Sequence, residues 1–266
     1  MIDYRMTRSE DTDKLIYLWV KCFSEKENAA KLFFTRNIPY MHGYVAADSD
    51  NIISAVYLID CMLCGKPAHY LCGAATMPEY RNRGIMTGLI EFALNDAEIR
   101  GDCYSVLLPA DEGLYDFYAK LGYLEGCSAC RREFQCYSDT AITLSEEPDY
   151  QILQKCSADN FLIWNNSYIK FAEEYYACYG IKALKFKNAF ALLEQDGESA
   201  EVFYAIYNSI SELNKILVSE GIKRFWLIGS AYNPVFTDTE PKRCGMIKPL
   251  NSSKVLNDVF IGIGLD

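Results

Sequence analysis

Two hydrophobic spacings alternate along the first half of the chain, one typical of strands and one typical of helices. Residues 2–6 predict a short strand, and the apolar positions from Leu15 to Phe23 recur at helical spacing. A second helix is predicted over 29–34. Three further apolar runs are separated by turn residues that favour hairpins. The pattern therefore predicts an antiparallel meander with strands over 44–47, 52–63 and 68–76.

The order of elements changes after the meander. Pro78 ends its last strand, and an apolar face then predicts a helix from Ile85 to Arg100, which Gly101 ends. A strand, a helix and a strand in this order are typical of a crossover between parallel strands. The other predicted elements of this part are a strand over 104–108, a helix over 114–121 and strands near 123–136.

The second half of the chain repeats this order. A polar, acidic stretch over 138–150 is typical of a linker. Aromatic residues over 160–180 lie mostly at helical spacings and predict a helix with a buried aromatic face. We expect a mixed α/β protein with two domains, 1–137 and 151–266. The remaining predicted elements are a hairpin over 189–194 and 201–207, a helix over 209–219 and a strand over 225–228.

Charge and hydropathy exclude several classes of function. The 266 residues include 26 Lys and Arg against 36 Asp and Glu, which gives a net charge of −10. Nucleic acid is not expected as a partner, because phosphate binding needs clustered basic residues. No run reaches the roughly 18 apolar residues of a membrane span, and the first residues lack the apolar core of a signal peptide. We therefore expect a cytoplasmic protein without a membrane partner.

The eleven cysteines are interpreted as reduced thiols, since many lie inside apolar runs. Cys61 with Cys64, and Cys127 with Cys130, have a spacing that zinc ligands use. However, positions i and i+3 of a strand face opposite sides of the sheet. We expect no metal site.

The turn between the third meander strand and the long helix is the most informative stretch. It contains Arg81-Asn82-Arg83-Gly84. The first N–H groups of a helix have no partners inside the helix and the dipole is positive there, so such a turn favours an anion, above all a phosphate. Gly84 would let a ligand approach the backbone closely. The alternative is an ordinary solvated turn with two arginines.

This turn resembles the acetyl-CoA site of the GNAT acetyltransferases, whose signature is Arg or Gln, two residues, Gly, one residue, then Gly or Ala. Here Arg81-x-x-Gly84-x-Met86 departs from it at Met86, and is closer to the tandem-GNAT branch typified by the enhanced-intracellular-survival acetyltransferases. Residues 117–123 are similar to the family's Tyr-x-x-x-Gly-Phe motif, whose tyrosine falls on Tyr118. The resemblance covers about residues 1–136. It implies a GNAT fold there, and the repeated element order predicts a second, degenerate GNAT-like domain.

The resemblance also implies which residues bind the cofactor. The N–H groups of 83–87 and the side chain of Arg81 would hold the pyrophosphate of acetyl-CoA, and the strand edge at 75–77 would pair with its pantetheine arm. Asp111 falls where many relatives have an Asn that contacts CoA. The predicted cofactor-binding residues are Ala75, Thr76, Met77, Arg81, Arg83, Gly84, Ile85, Met86, Thr87 and Asp111.

The implied reaction is the attack of an amine on an acetyl thioester, after which a thiolate departs. A phenol with a pKa near 10 stays protonated at pH 7 and can give the thiolate a proton or a hydrogen bond. Tyr118 is therefore the predicted general acid. A backbone N–H at Thr76 or Met77 is the candidate donor to the oxyanion. The sequence singles out no general base.

The sequence thus predicts an N-acetyltransferase that moves an acetyl group from acetyl-CoA to a primary amine of a small molecule or a lysine. Two other functions stay open. One is a non-catalytic acyl-CoA-binding sensor, and the other is an aminoacyl transferase of tandem-GNAT architecture that uses charged tRNA and a local basic patch. The acceptor and the oligomeric state, including a homo-oligomer, are also left open.

Overall fold

The structure is a computed structural model that describes residues 2–36, 41–137, 147–155 and 160–265. The chain divides into two compact units. The first comprises Met1–Glu125, Gly245–Val255 and Gly264–Asp266, and the second comprises Gly126–Cys244 and Leu256–Ile263. Most of the stretch interpreted as a linker, 138–146, lies outside the described residues, while Tyr150 begins a helix.

The described residues form twelve strands and seven α-helices. The strands are β1 (Ile2–Met6), β2 (Met41–Asp48), β3 (Asn51–Leu63), β4 (Lys66–Thr76), β5 (Tyr104–Leu107), β6 (Leu124–Gln135), β7 (Ile163–Trp164), β8 (Lys182–Phe186), β9 (Ala189–Asp196), β10 (Ser199–Tyr207), β11 (Arg224–Gly229) and β12 (Lys242–Pro249). The helices are α1 (Thr12–Phe23), α2 (Glu27–Thr35), α3 (Ile85–Arg100), α4 (Glu112–Lys120), α5 (Tyr150–Lys155), α6 (Asn166–Ala177) and α7 (Ile210–Ser219).

In the first unit, β1, β2, β3 and β4 are antiparallel neighbours, and β5 pairs with β4 in parallel. This confirms the predicted meander followed by a crossover. Strand β12 was not predicted. Its residues Met246–Pro249 pair antiparallel with β5, so the end of the chain completes the sheet of the first unit.

Helix α3 covers this sheet with a stripe of fully buried residues. Leu89, Ile90 and Ala93 are inaccessible and pack in one core cluster with Tyr44 and Leu58 of the sheet. Burying a leucine or isoleucine side chain contributes roughly 1.5–3 kcal/mol, so this stripe fixes α3 on the sheet. Gly101 ends the helix with a positive φ of 97°, as the sequence predicts. Because α3 is fixed, the turn over residues 81–84 that precedes it is fixed as well.

The second unit has the sheet order β6-β11-β10-β9-β8. Strands β10 and β11 are parallel with α7 between them in sequence, and the other pairs are antiparallel. The predicted hairpin, helix and strand are confirmed, whereas α5 and β8 were not predicted. Among the described residues of the whole chain, no helix is long and apolar enough to span a membrane.

Candidate functional site

Strands β4 and β5 diverge soon after they begin to pair. Their parallel pairing covers only Ala68–Tyr70 against Tyr104–Val106. Strand β4 then bulges, because two of its residues oppose Val56 of β3, and one of them is Gly73 with a φ of +60°. A Cβ at Gly73 would lie 2.3 Å from the Trp19 ring, so only glycine fits there. A glycine inside an apolar strand is the sequence signal for this bulge.

A cavity of about 760 Å³ lies beside the diverging end of β4, within the size range of small-molecule sites. Most of the residues predicted from the sequence line it. These are Ala75, Thr76, Arg81, Gly84, Ile85, Met86, Thr87, Asp111 and Tyr118. The wall also includes residues that the sequence reasoning missed, namely Cys22, Phe23, Ala74, Tyr80, Asn82, Leu114 and Phe117.

Two residues of the predicted set lie outside this wall. The N–H of Met77 donates to the carbonyl of Ile53 over 2.9 Å. Of the two candidate oxyanion donors, Thr76 and Met77, this hydrogen bond excludes Met77, since its N–H is used within the sheet. The guanidinium of Arg83 lies 5.3 Å from the centre of the Tyr80 ring and donates to the carbonyl of Glu79 over 2.8 Å. Arg83 thus packs along its own turn.

The hydrogen bond of Met77 determines where the backbone of Thr76 points. Because Met77 bonds to Ile53, Thr76 and Ser54 form a non-hydrogen-bonded antiparallel pair, and the N–H and C=O of Thr76 point away from β3. The carbonyl of Thr76 accepts from Arg81 Nε at 3.0 Å and from Cys22 Sγ at 3.4 Å. The N–H of Thr76 points the same way and is a donor on the cavity wall.

The start of α3 forms a second part of the wall. Gly84 precedes the helix with a φ of 73°, and no side chain caps the helix. No atom lies within 4 Å of the position that a Cβ of Gly84 would occupy. The N–H groups of residues 85–87 have no partner inside the helix. Together with Arg81, they offer an anion a positive, open turn.

Met86 does not close this turn. Its side chain is half-buried and packs against the core cluster of the first unit. The larger side chain of Met86 thus packs against the core while it also lines the cavity, and the backbone at Gly84 stays exposed. The turn fits a pyrophosphate group.

Tyr118 of α4 lies on the cavity wall with only 6% of its surface exposed. Burial raises the pKa of Tyr118 to about 12, with a smaller contribution from nearby Cys72. The rings of Phe117 and Tyr123 pack edge-on against it at centroid distances of 5.0 and 5.8 Å. Its phenol is therefore protonated at neutral pH.

The two ends of α4 explain the second motif. The carboxylate of Asp111 accepts from the N–H of Leu114 over 3.1 Å and caps the helix. At the other end, the carbonyl of Tyr118 accepts from the N–H groups of Leu121 and Tyr123, at 3.0 and 3.1 Å, around Gly122 with its φ of 87°. Asp111 and Gly122 thus fix the helix that positions Tyr118.

Ionisable groups are sparse elsewhere on the wall. Among the described residues lining the cavity, the carboxylate is that of Asp111, already used as a cap. Burial raises the pKa of Cys22, although Arg81 opposes this shift, so the Cys22 thiol is neutral at pH 7. The wall is therefore suited to bind through N–H donors and the phenol of Tyr118.

Comparison with known proteins agrees with this geometry. Residues 3–125 match a family model described as the acetyltransferase (GNAT) domain, and this range contains every residue that lines the cavity. The first unit therefore contains a GNAT domain, a domain of acyltransferases. A comparison with curated protein sequences found no match.

Solved structures share the fold over nearly the whole chain at low sequence identity. A GCN5-related N-acetyltransferase from Kribbella flavida is 18% identical with a TM-score of 0.69, over 94% of this chain and 72% of its own. Eis1 from Mycobacterium abscessus is 12% identical with a TM-score of 0.68, over 94% and 73%. A tandem GNAT protein from the clavulanic acid biosynthesis pathway is 11% identical with a TM-score of 0.53, over 96% and 100%. The chain therefore has the fold of two GNAT-like domains in tandem.

Proposed function

We propose that this chain is an N-acetyltransferase that moves an acetyl group from acetyl-CoA to a primary amine of a small molecule or a lysine side chain. The observation that supports it best is a single cavity in the GNAT domain. Its wall brings together the uncapped start of α3, the main-chain N–H of Thr76 and the phenol of Tyr118. These are groups suited to a diphosphate, a carbonyl oxygen and a sulfur, respectively.

Each part of the wall would bind a different part of the cofactor. Acetyl-CoA would supply the acetyl thioester. The N–H groups of 85–87 and the guanidinium of Arg81 would hold the pyrophosphate. The diverging edge of β4 would pair with the amides of the pantetheine arm, as an added strand does. The N–H of Thr76 would donate to the thioester oxygen as negative charge develops there.

Tyr118 would act on the leaving sulfur mainly by hydrogen bonding. Its pKa is raised to about 12, whereas a thiol has a pKa of about 8.5. Complete proton transfer from the phenol to the thiolate is therefore uphill by roughly 5 kcal/mol. A hydrogen bond that strengthens as the thiolate forms does not require this transfer. Because the phenol stays protonated, the donor is present over the whole neutral pH range.

The amine would approach along α1. Cys22 and Phe23, at the carboxyl end of this helix, line the same cavity as Thr76. The carboxyl end of a helix is the negative end of its dipole and attracts a cation. The net charge of −10 adds to this attraction at longer range. An ammonium acceptor thus fits this side of the cavity better than an anionic one.

Turnover tests the proposal directly. The purified chain is incubated with acetyl-CoA and a panel of primary amines, and the release of the CoA thiol is followed. We expect release above hydrolysis with at least one amine, and less with Tyr118→Phe. Tyr115→Phe is the matched control, because Tyr115 lies on the same helix but not on the cavity wall. Binding of acetyl-CoA without transfer to any amine would contradict the proposed enzymatic activity and would indicate a domain that only binds acyl-CoA.

A further inference from the structure

The second unit repeats the divergence of two parallel strands. Strands β10 and β11 pair only from Ser199–Val202 against Arg224–Leu227. The register of β10 with β9 then shifts between Val202 and Tyr204, which marks a bulge. Strand β10 continues to Tyr207. Within the described part of the chain, no strand pairs with this last part of β10 on the side away from β9.

The backbone direction of β10 follows from one hydrogen bond. The N–H of Asn208 donates to the carbonyl of Asn188 over 3.0 Å, so Tyr207 and Ala189 form a non-hydrogen-bonded pair. The N–H and C=O of Tyr207 therefore point away from β9. Because the direction alternates along a strand, those of Ala205 do so as well. Two donors and two acceptors thus lie on the open edge of β10.

This open edge lines a cavity of about 290 Å³ whose described wall belongs entirely to the second unit. Ala205 and Tyr207 form one side of it. Leu227 and Phe236 are almost completely buried and contribute apolar surface to the same wall. The cavity is near the lower end of the range for small-molecule sites. It therefore fits a short, slender ligand.

The polar side chains on the wall are neutral and held in place. Asn233 donates from Nδ2 to the Tyr207 hydroxyl over 3.1 Å, and its Oδ1 accepts from the N–H of Val235 at 3.1 Å. The buried Ser230 accepts from the N–H of Tyr232 over 3.2 Å. These contacts fix the wall around the open edge, so the edge does not need to rearrange to accept a ligand.

The wall also disfavours an anion. Among the described residues that line it, none is Lys, Arg, His, Asp or Glu. Helix α7 begins beside it, but the Ser209 hydroxyl accepts from the N–H of Glu212 over 3.4 Å, and Glu212 adds an acid to the first turn. No arginine turn separates Tyr207 from this helix. A diphosphate therefore fits this cavity poorly.

We propose that this cavity binds a small, uncharged molecule that carries secondary amides, which pair with the edge of β10 at Ala205 and Tyr207. An amide offers a donor and an acceptor side by side, which is the pattern that an open strand edge presents. Ala205 and Tyr207 are half-buried, and a ligand amide would give their outward backbone groups hydrogen-bond partners, which stabilises the complex. The apolar wall would cover the short carbon segments between the amides.

Calorimetric titration of the full chain tests this site with two probes, pantetheine and a blocked dipeptide, N-acetyl-alanyl-alanine amide. We expect at least one probe to bind the second unit, and Ala205→Leu to weaken that binding about tenfold or more by filling the cavity. Ala74→Leu is the matched control, because Ala74 lines the cavity of the first unit. It should remove only binding to the first unit.

A second measurement does not depend on whether the variants fold. Hydrogen exchange is measured on the unaltered chain with and without the probe, and we expect slower exchange at the amides of Ala205 and Tyr207. If neither probe slows these amides, or Ala205→Leu binds as the unaltered chain does, the proposal is wrong. Failure of the acetyl-CoA site would appear separately, because Ala74→Leu would then have no effect while Ala205→Leu would still weaken binding of the probe.

Discussion

The ammonium group of Lys248 donates a hydrogen bond of 2.8 Å to the carbonyl oxygen of Leu121, just beyond the end of α4. Lys248 lies on β12, far along the chain from the helix that it contacts. A cation at this position satisfies a carbonyl at the negative end of the helix dipole. The last strand of the chain thus supports the helix that positions Tyr118.

Replacing Lys248 by methionine should therefore destabilise the first unit. We expect Lys248→Met to lower the free energy of unfolding by about 1–2 kcal/mol, because a hydrogen bond from a charged donor is lost while the aliphatic chain is retained. Chemical denaturation measures this. Lys254→Met is the control, since Lys254 is exposed in the same unit. Equal effects of the two substitutions would contradict the assigned role of Lys248.

Tyr118→Phe should reduce turnover more than binding. A hydrogen bond to a charged group contributes about 1.5–3 kcal/mol, so its loss in the transition state predicts a kcat roughly 10- to 100-fold lower. The KM for acetyl-CoA should change little, because the ring still packs between Phe117 and Tyr123. Steady-state kinetics with the best amine measures both values. A kcat equal to that of the unaltered chain, in a folded variant, would exclude Tyr118 from the reaction.

Gly73→Ala should destabilise the chain strongly. The φ of +60° costs a non-glycine residue about 1–2 kcal/mol, and the overlap of the added Cβ with the Trp19 ring adds about 1–3 kcal/mol. Gly84→Ala should lose only the about 1–2 kcal/mol that the positive φ costs, because open space surrounds its Cβ position. The free energies of unfolding of the two variants compare these costs. A Gly84→Ala variant as unstable as Gly73→Ala would show that the bulge is not constrained by Trp19.

Stability should fall between pH 7 and pH 5 because of His69. This side chain is completely buried beside Asp102, with 2.6 Å between Nδ1 and Oδ2. Burial lowers the pKa of His69, although Asp102 opposes the shift. Below the usual pKa of about 6.5, the unfolded chain therefore binds a proton that the folded chain does not, and folding becomes less favourable.

His69→Asn should remove this dependence of the free energy of unfolding on pH, since an amide can still donate to Asp102 but does not titrate. His42→Asn, which changes the other histidine, should retain it. Denaturation curves at the two pH values measure the effect. An unchanged slope in His69→Asn would assign the pH dependence to other groups.

Local patterns in the sequence predicted most of the first unit, because its strands and helices follow one another along the chain. Gly101 and Gly122, for example, end their helices where the sequence indicates. Strand β12 could not be found in this way. It pairs with β5 over a long sequence separation, and no short-range turn or spacing indicates such a pairing.

In the candidate site as well, local motifs predicted some residues, whereas others depend on strand geometry and tertiary packing. The motifs indicated Arg81, Gly84 and Tyr118, which the structure places on one cavity wall. The motifs could not predict the direction in which a backbone N–H points, because this direction reverses from each residue of a strand to the next. Thr76 and Met77 are equivalent in the sequence, but only Thr76 points away from β3. Cys22 and Phe23 also reach the cavity only through the packing of α1, for which the motifs offer no signal.

The most direct test of the account is the affinity of the chain for acetyl-CoA, measured by calorimetry and by thermal unfolding. At about 100 times its dissociation constant, a ligand adds roughly 2.7 kcal/mol to the folded state. We predict this stabilisation for the unaltered chain, a loss of affinity of about tenfold or more in Arg81→Ala, and a smaller loss in Arg83→Ala, because only Arg81 lines the cavity. No binding of acetyl-CoA, or equal losses in the two variants, would contradict the assignment of this cavity.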